Sequence, residues 1–234
     1  MKRYNFYILT MAIMLLATSC SDDMNIEQNV PVTEYNNAIT DVTFSLQFIN
    51  QDELQSRAGE DQSNYENYVD QLNIFVFASN GAFEKHYEFE LNDMTGNVAK
   101  EITLEGMLSG TKYIHAVANL NSSNYEGEMS KILNAAQTSR ESFLNAVVTM
   151  SQQTEGILDG RFLMSGSYVA PNNDNGTGLC NVPKEGGRIS GEIQLIRVLA
   201  PVKFIVKSKS SISFVPTSWQ VCNLPQSAYL YEKD

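Results

Sequence analysis

Few side chains in this 234-residue chain are of a type that does acid–base, redox or metal chemistry: it holds two histidines and three cysteines. His86 falls in an alternating stretch, out of phase with Tyr87 and Phe89, and so on the outward face of a hairpin. His115 sits inside an apolar strand and reads as a core or edge residue. Acid–base catalysis usually wants a histidine or a tuned carboxylate pair, and the carboxylates here are scattered through loops, where solvation accounts for them. Cys20, Cys180 and Cys222 form no C-x-x-C, so a redox motif or zinc ribbon has no support. Cys180 and Cys222 can pair in an oxidising compartment or stay as two buried thiols, and the sequence leaves both open. Asn173-Asp174-Asn175-Gly176 has part of a calcium loop but lacks the bidentate glutamate at the required spacing, so it reads as a turn. No nucleophile elbow, H-E-x-x-H, Walker loop or G-x-G-x-x-G occurs. The expectation is a protein with no catalytic residue, no metal and no cofactor, and not an enzyme.

The chemistry that the residues do suggest is covalent processing. Lys2 and Arg3 precede an apolar run from Phe6 to Ala17, interrupted only by Thr10. That run is too short for a bilayer-spanning helix and suits the core of a signal peptide. It ends in Leu16-Ala17-Thr18-Ser19-Cys20, which resembles the lipobox of bacterial lipoproteins, with Ala17 where leucine is usual. The resemblance implies cleavage before Cys20 and lipidation of Cys20, so that the partner at this end is membrane lipid. Acyl chains bind membrane by burying methylenes, at roughly 0.8 kcal/mol each, and need no basic surface. Asp22-Asp23 resembles the acidic tag that sends lipoproteins of Bacteroides-type bacteria to the outer face of the outer membrane.

Residues 1–19 are thus read as a signal peptide. Residues 20–40, polar and without period, are read as a lipid-anchored tether. Residues 41–234 are read as one domain. Twenty-seven acidic residues against 16 basic ones give a net charge of −11, and no basic patch stands out, which argues against nucleic acid as a partner. A hydrophobic fraction of 43% can fill a core.

The domain reads as a series of strands. Val42, Phe44, Leu46 and Phe48 alternate with polar residues, the period of a half-buried strand. Residues 50–67 are an acidic loop. Residues 72–78 (LNIFVFA) form a continuous apolar run, and Asn80-Gly81 then predicts a type I′ turn leading into Phe83, Tyr87, Phe89 and Leu91. Further strands are expected around 98–104, 112–120, from Phe162, over 191–199 and 202–207 around Pro201, and near Phe214 and Trp219. Residues 171–187 are dense in Asn, Gly and Pro and read as a loop. Apolar residues at helical spacing over 129–150, with a capping box from Thr138 to Glu141, predict two short helices at an edge or end of the sheet. The sum is an all-β fold, a β-sandwich with a short helical insertion around residues 129–150. The apolar segment 225–230 calls for a partner.

The order of these features resembles the fimbrillin family, the type V pilus subunit lipoproteins of Bacteroides-type bacteria. The resemblance is carried by the lipobox, VTFSLQF, and Ser56-Arg57-Ala58. Next come Val69-Asp70-Gln71-Leu72-Asn73-Ile74-Phe75-Val76-Phe77, Asn80-Gly81 and Phe162-Leu163-Met164-Ser165-Gly166. Ile193-Gln194-Leu195-Ile196-Arg197-Val198-Leu199-Ala200 and Trp219-Gln220-Val221-Cys222-Asn223-Leu224-Pro225 complete the series. Pro201 stands where the family commonly has lysine. The resemblance implies a Greek-key (transthyretin-like) sandwich corresponding to an N-terminal domain, with a second domain expected beyond the end of this sequence.

It also implies a mechanism: an arginine-specific protease cuts the loop between Arg57 and Ala58, the first strand leaves, and a strand of another subunit takes its place. The partners would be other fimbrial subunits and a receptor on a host or bacterial surface. Arg57 is the only basic residue between Arg3 and Lys85, and it lies in a polar loop open to proteolysis. The exchangeable core positions would be Val42, Phe44, Leu46 and Phe48, worth about 6–12 kcal/mol together when buried. The alternatives are a fimbrial anchor or accessory subunit, or a lipid-tethered adhesion module, in which the strand stays.

Overall fold

The computed structural model describes residues 38–48, 68–95, 99–120, 125, 127–149, 162–171, 176–198, 217–218, 220 and 227–231. Alternation in VTFSLQF builds β1 (Ile39–Phe48), two residues ahead of the expected domain boundary. The continuous apolar run belongs to β2 (Tyr68–Ala78), followed by β3 (Phe83–Thr95), β4 (Lys100–Leu108) and β5 (Gly110–Ala118). Two helices, α1 (Glu128–Thr138) and α2 (Arg140–Leu144), separate these from β6 (Val147–Thr149), β7 (Met164–Val169), β8 (Leu179–Val182), β9 (Gly187–Arg197) and β10 (Ser227–Tyr229).

The all-β class expected from the sequence holds. One sheet runs β3-β2-β5-β7-β9-β1-β4. β5 pairs with β7 through His115–Ala118 and with β8 through Gly110–Tyr113. Among the described residues every pairing is antiparallel except β1 with β9. The sheet curls until its terminal strands nearly meet: Lys85 and Tyr87 of β3 reach backbone carbonyls of β4.

Curling gives the sheet an inside and an outside, each with its own core. Leu72, Ile74 and Val76 point inward, with Val42, Phe44, Leu46, Ile102, Leu104, Ile193 and Leu195. Phe75 and Phe77 point outward, under Ile132 and Ala136 of α1 and Phe143 of α2. A strand buried on both faces loses its alternation, which is why LNIFVFA is continuous. The helices thus cover an outer face of the sheet rather than an edge or end. Of segment 225–230, the described residues 227–230 find a partner there: β10 pairs with β6, and Leu230 enters the outer core.

Several local expectations change. The β2–β3 turn is not type I′. Gly81 Nα donates to Ala78 O, Ala78 Nα to Ala82 O, and of the turn residues Gly81 alone has positive φ (83°). This is a type I turn closed by a left-handed glycine, a three-residue hairpin loop. A bulge follows, pairing Phe77 with Phe83 but Val76 with Lys85. It sends Phe83 to the outer core while Tyr87 and Phe89 pack on the inner one. The cap of α2 is Ser139, whose Oγ accepts from Ser142 Nα at 3.0 Å. Thr138 instead ends α1 and donates back to Asn134 O. Within the expected loop 171–187, β8 forms against β5. Pro201, the strand expected at 202–207, Phe214, Trp219 and Asn173–Asn175 lie outside the described residues.

Candidate functional site

β1 lies in the interior of the sheet, antiparallel to β4 and parallel to β9. Val42, Phe44 and Leu46 are each 0% exposed. They project inward at every second residue because a pleated strand alternates its faces. Phe44 stands opposite Ile102 and meets Tyr168 of β7 edge to face, with ring centroids 5.8 Å apart. Leu46 stands between Lys100 and Ile193. Phe48 is in register with Leu195, while its side chain lies outside those described.

The start of β1 is held by polar contacts. Ala38 Nα donates to Ser109 Oγ, and Ser109 Nα returns to Ala38 O at 2.8 Å. Asp41 Oδ1 accepts from Gly106 Nα at 2.8 Å. On the outward face Thr43 and Thr103 share a 2.9 Å hydroxyl contact. Above the strand, Arg188 Nη1 of β9 meets Glu101 Oε1 of β4 at 2.7 Å, so an exposed ion pair crosses over β1 from one neighbour to the other.

Two glycines make the seat possible. Gly186 has φ +70°, and a Cβ there would come within 2.2 Å of Thr40 Oγ1 and 2.6 Å of Asp41 O. Gly191 has φ +100°, and a Cβ would lie 2.4 Å from Val169 O. Gly191 falls in a bulge where β9 runs from Arg188 to Glu192 while β1 runs only from Thr43 to Ser45. The sequence shows Gly186-Gly187 just ahead of a strand signal. Read as an ordinary loop, it is in fact where the backbone of β1 comes closest.

The outer core carries a strongly perturbed histidine. His115 is 1% exposed. The Arg140 guanidinium can only donate, and its Nε lies 2.9 Å from His115 Nε2, so that nitrogen accepts. The ring proton is therefore on Nδ1 and is donated to Ser167 Oγ at 2.7 Å. Burial, then the Arg140 charge, push the His115 pKa down to about 3. Arg140 also donates to Thr177 O and stacks 3.9 Å above the Tyr113 ring. A neutral imidazole with both nitrogens occupied does no proton transfer; it joins β5, β7 and α2. His86 lies on the expected face and is half-buried. It stacks on Phe75 at 4.8 Å and contacts Asn73 Oδ1 at 2.9 Å. Among the described residues no group of three or more His, Cys, Asp or Glu is placed to hold a metal ion, and no helix is long and apolar enough to cross a membrane.

Of the residues singled out in the sequence, Val42, Phe44 and Leu46 are brought together in one seat. Cys20, Arg57, Ala58 and Cys222 lie outside the described residues. Cys180 is a buried free thiol whose pKa burial pushes up to about 12. Sequence reasoning missed Tyr168, Asp41, Ser109 and the pair Arg188–Glu101, because each acts through a partner distant in the chain.

Several solved structures align with part of this chain. A fimbrial assembly protein from Parabacteroides distasonis aligns at 15% identity and TM-score 0.44, over 68% of this chain and 53% of that one. The tip fimbrial protein Mfa3 from Porphyromonas gingivalis aligns at 12% and 0.41, over 68% and 48%. The fimbrial anchor protein Mfa2 from the same organism aligns at 17% and 0.41, over 68% and 51%. The chain spans about half the length of these structures. No curated protein matches it. The profile of the major fimbrial subunit protein (FimA) matches residues 40–197, from β1 to the last residue of β9, and on that match the chain belongs to the FimA major fimbrial subunit family.

Proposed function

We propose that this protein is a structural subunit, or the precursor of one, of a cell-surface fimbria. It is exported as a lipoprotein through Cys20, carried to the outer membrane surface, and assembled by loss of β1 and strand addition from another subunit. Family membership supports the fimbrial role. The observation that carries strand exchange is the position of β1: an early strand, connected onward through residues 49–67 with Arg57, fills the interior of the sheet with three fully buried side chains.

Val42, Phe44 and Leu46 together are worth about 5–9 kcal/mol of burial, an upper figure because unfolded chains already bury some surface. That is comparable to the whole stability of a domain of ordinary size. A vacated seat therefore leaves an apolar groove flanked by unpaired backbone, which a strand from a second molecule relieves. Repeated head to tail, such contacts give an open filament. Other subunits are then the principal partners, with lipid at Cys20 and a surface receptor beyond them.

Cleavage after Arg57 is tested by mass spectrometry of protein taken from its native membrane and from surface fibres. The shaft subunit is expected to begin at Ala58 in fibres. A lipidated N-terminus still continuous with β1 in every fibre would instead make the chain an anchor or accessory subunit. If no fibre contains the chain at all, the fimbrial role itself is wrong.

A further inference from the structure

We infer that the side-chain seam between β3 and β4 keeps the β1 seat open for an incoming strand, an inference that rests on the strand-exchange reading above. The two neighbours of β1 are not equivalent. β9 keeps a full antiparallel ladder with β7, from Met164–Arg197 to Val169–Glu192, whatever happens to β1. β4 is the last strand of the sheet, and among the described residues β1 is the only strand laddered to it. Departure of β1 therefore strips β4 of its ladder, although Ile102, Leu104 and Met107 still need the inner core.

Besides the exposed Arg188–Glu101 pair from β9, what then reaches β4 are side chains from β3. Lys85 Nζ donates to Glu105 O at 2.8 Å and to Gly106 O at 3.3 Å. Tyr87 Oη donates to the same Glu105 carbonyl at 3.0 Å, and the Lys85 ammonium lies 4.5 Å from the Tyr87 ring centre. At the other end, Lys100 Nζ donates to Leu91 O at 3.4 Å. These bonds grip β4 near both ends without using the edge that faces β1. A β4 held in this way stays one strand's width from β9. A β4 released from it is free to close onto β9 or drift away, and either movement removes the groove.

The partner that fits the open seat is a strand running in the direction of β1, antiparallel to β4 and parallel to β9. It presents apolar side chains at alternate positions, with an aromatic one in the middle to meet Tyr168.

The test uses the full chain with a specific protease site inserted in residues 50–67, cut so that β1 remains seated but severed. A fluorescent synthetic peptide of residues 38–48 is the incoming strand. Lys85→Met/Tyr87→Phe is compared with the wild type and with Lys85→Arg, which can still reach the carbonyls. Uncut, the double variant is expected to melt within about 3 °C of wild type, since the β1 ladder then holds β4. Cut, it is expected to take up peptide at least about tenfold more weakly, as follows from losing two or three hydrogen bonds to one strand, while Lys85→Arg stays near wild type. Equal uptake by the double variant and wild type overturns the seam alone. So does an uncut double variant destabilised as much as its uptake falls, because the bonds would then be ordinary stability contacts. No uptake by cut wild type overturns strand exchange, and the seam's role with it.

Discussion

The inner and outer cores share β2 and β5 but are assembled in opposite ways. The inner core takes three fully buried side chains from β1, a single early strand, and they are all hydrocarbon: Val42, Phe44 and Leu46. The outer core is gathered from β2, β5, two helices, Leu163 and Leu230, and polar bonds run through it. His115 is clasped by Ser167 and Arg140, and Tyr231 Oη donates to Ala116 O and Gly166 O. Hydrocarbon contacts on one strand can be exchanged for those of another strand with the same pattern, because the hydrophobic effect is non-directional. A buried polar network cannot, because every donor and acceptor must be matched again. The part of the molecule suited to exchange is the strand whose inward side chains make no directional bonds and whose ladder any strand backbone can remake.

This contrast has measurable consequences. The largest is expected from core truncation. Phe44→Ala and Phe143→Ala should each cost about 3–5 kcal/mol in urea unfolding. Only Phe44→Ala should also weaken hydrogen-exchange protection across β1 and β4 ahead of the rest. Loss of protection in β1 from both variants alike would mean that the two cores are one cooperative unit.

Acid should act mainly on the outer core. His115 titrates at about 3 when folded and near 6.5 when unfolded. Above pH 6.5 both states are neutral at this residue. Below it only the unfolded chain gains the proton, so stability falls as pH drops towards 3, by about 2 kcal/mol at pH 5 from this residue. Urea midpoints at pH 7 and 5 for wild type and His115→Gln would show it, with the variant losing that share of the pH dependence. Arg140, Phe77, Phe143 and Tyr231 pack around the ring and bring no carboxylate to offset the effect.

The smallest change is expected at the ion pair above β1. Arg188 and Glu101 are 66% and 56% exposed, and solvent screens such a pair. Arg188→Gln should cost no more than about 0.5 kcal/mol, read from the urea midpoint at low and high salt. A larger loss would show that the pair fastens β1 in place.

Much of the fold was legible because period and burial go together. VTFSLQF alternates since one of its faces is buried, and LNIFVFA is unbroken since both faces of β2 are. The turn at Asn80-Gly81 was located but misread. Asn-Gly serves both the type I′ turn and the glycine-closed loop, and the choice rests on the bulge that pairs Phe77 with Phe83. The cap of α2 was placed one residue early, because Thr138 and Ser139 are both capping residues and only the break between the helices decides which is free. The site was half legible: its inward residues announced themselves by spacing, its seat did not. Gly186, Gly191 and Tyr168 matter only because β9 and β7 lie beside β1, and local sequence does not say which strands become neighbours.

The sequence alone determined the strand character of β1 and which of its residues are apolar. These are properties of local pattern, set by a two-residue pleat and by the charge and size of adjacent side chains. Only the tertiary structure decided that β1 lies between β4 and β9, antiparallel to the first and parallel to the second, and that among the described residues β4 ladders with β1 alone. Pairing of distant strands is chosen by the closure of the whole sheet around a shared core, a condition that no single segment carries.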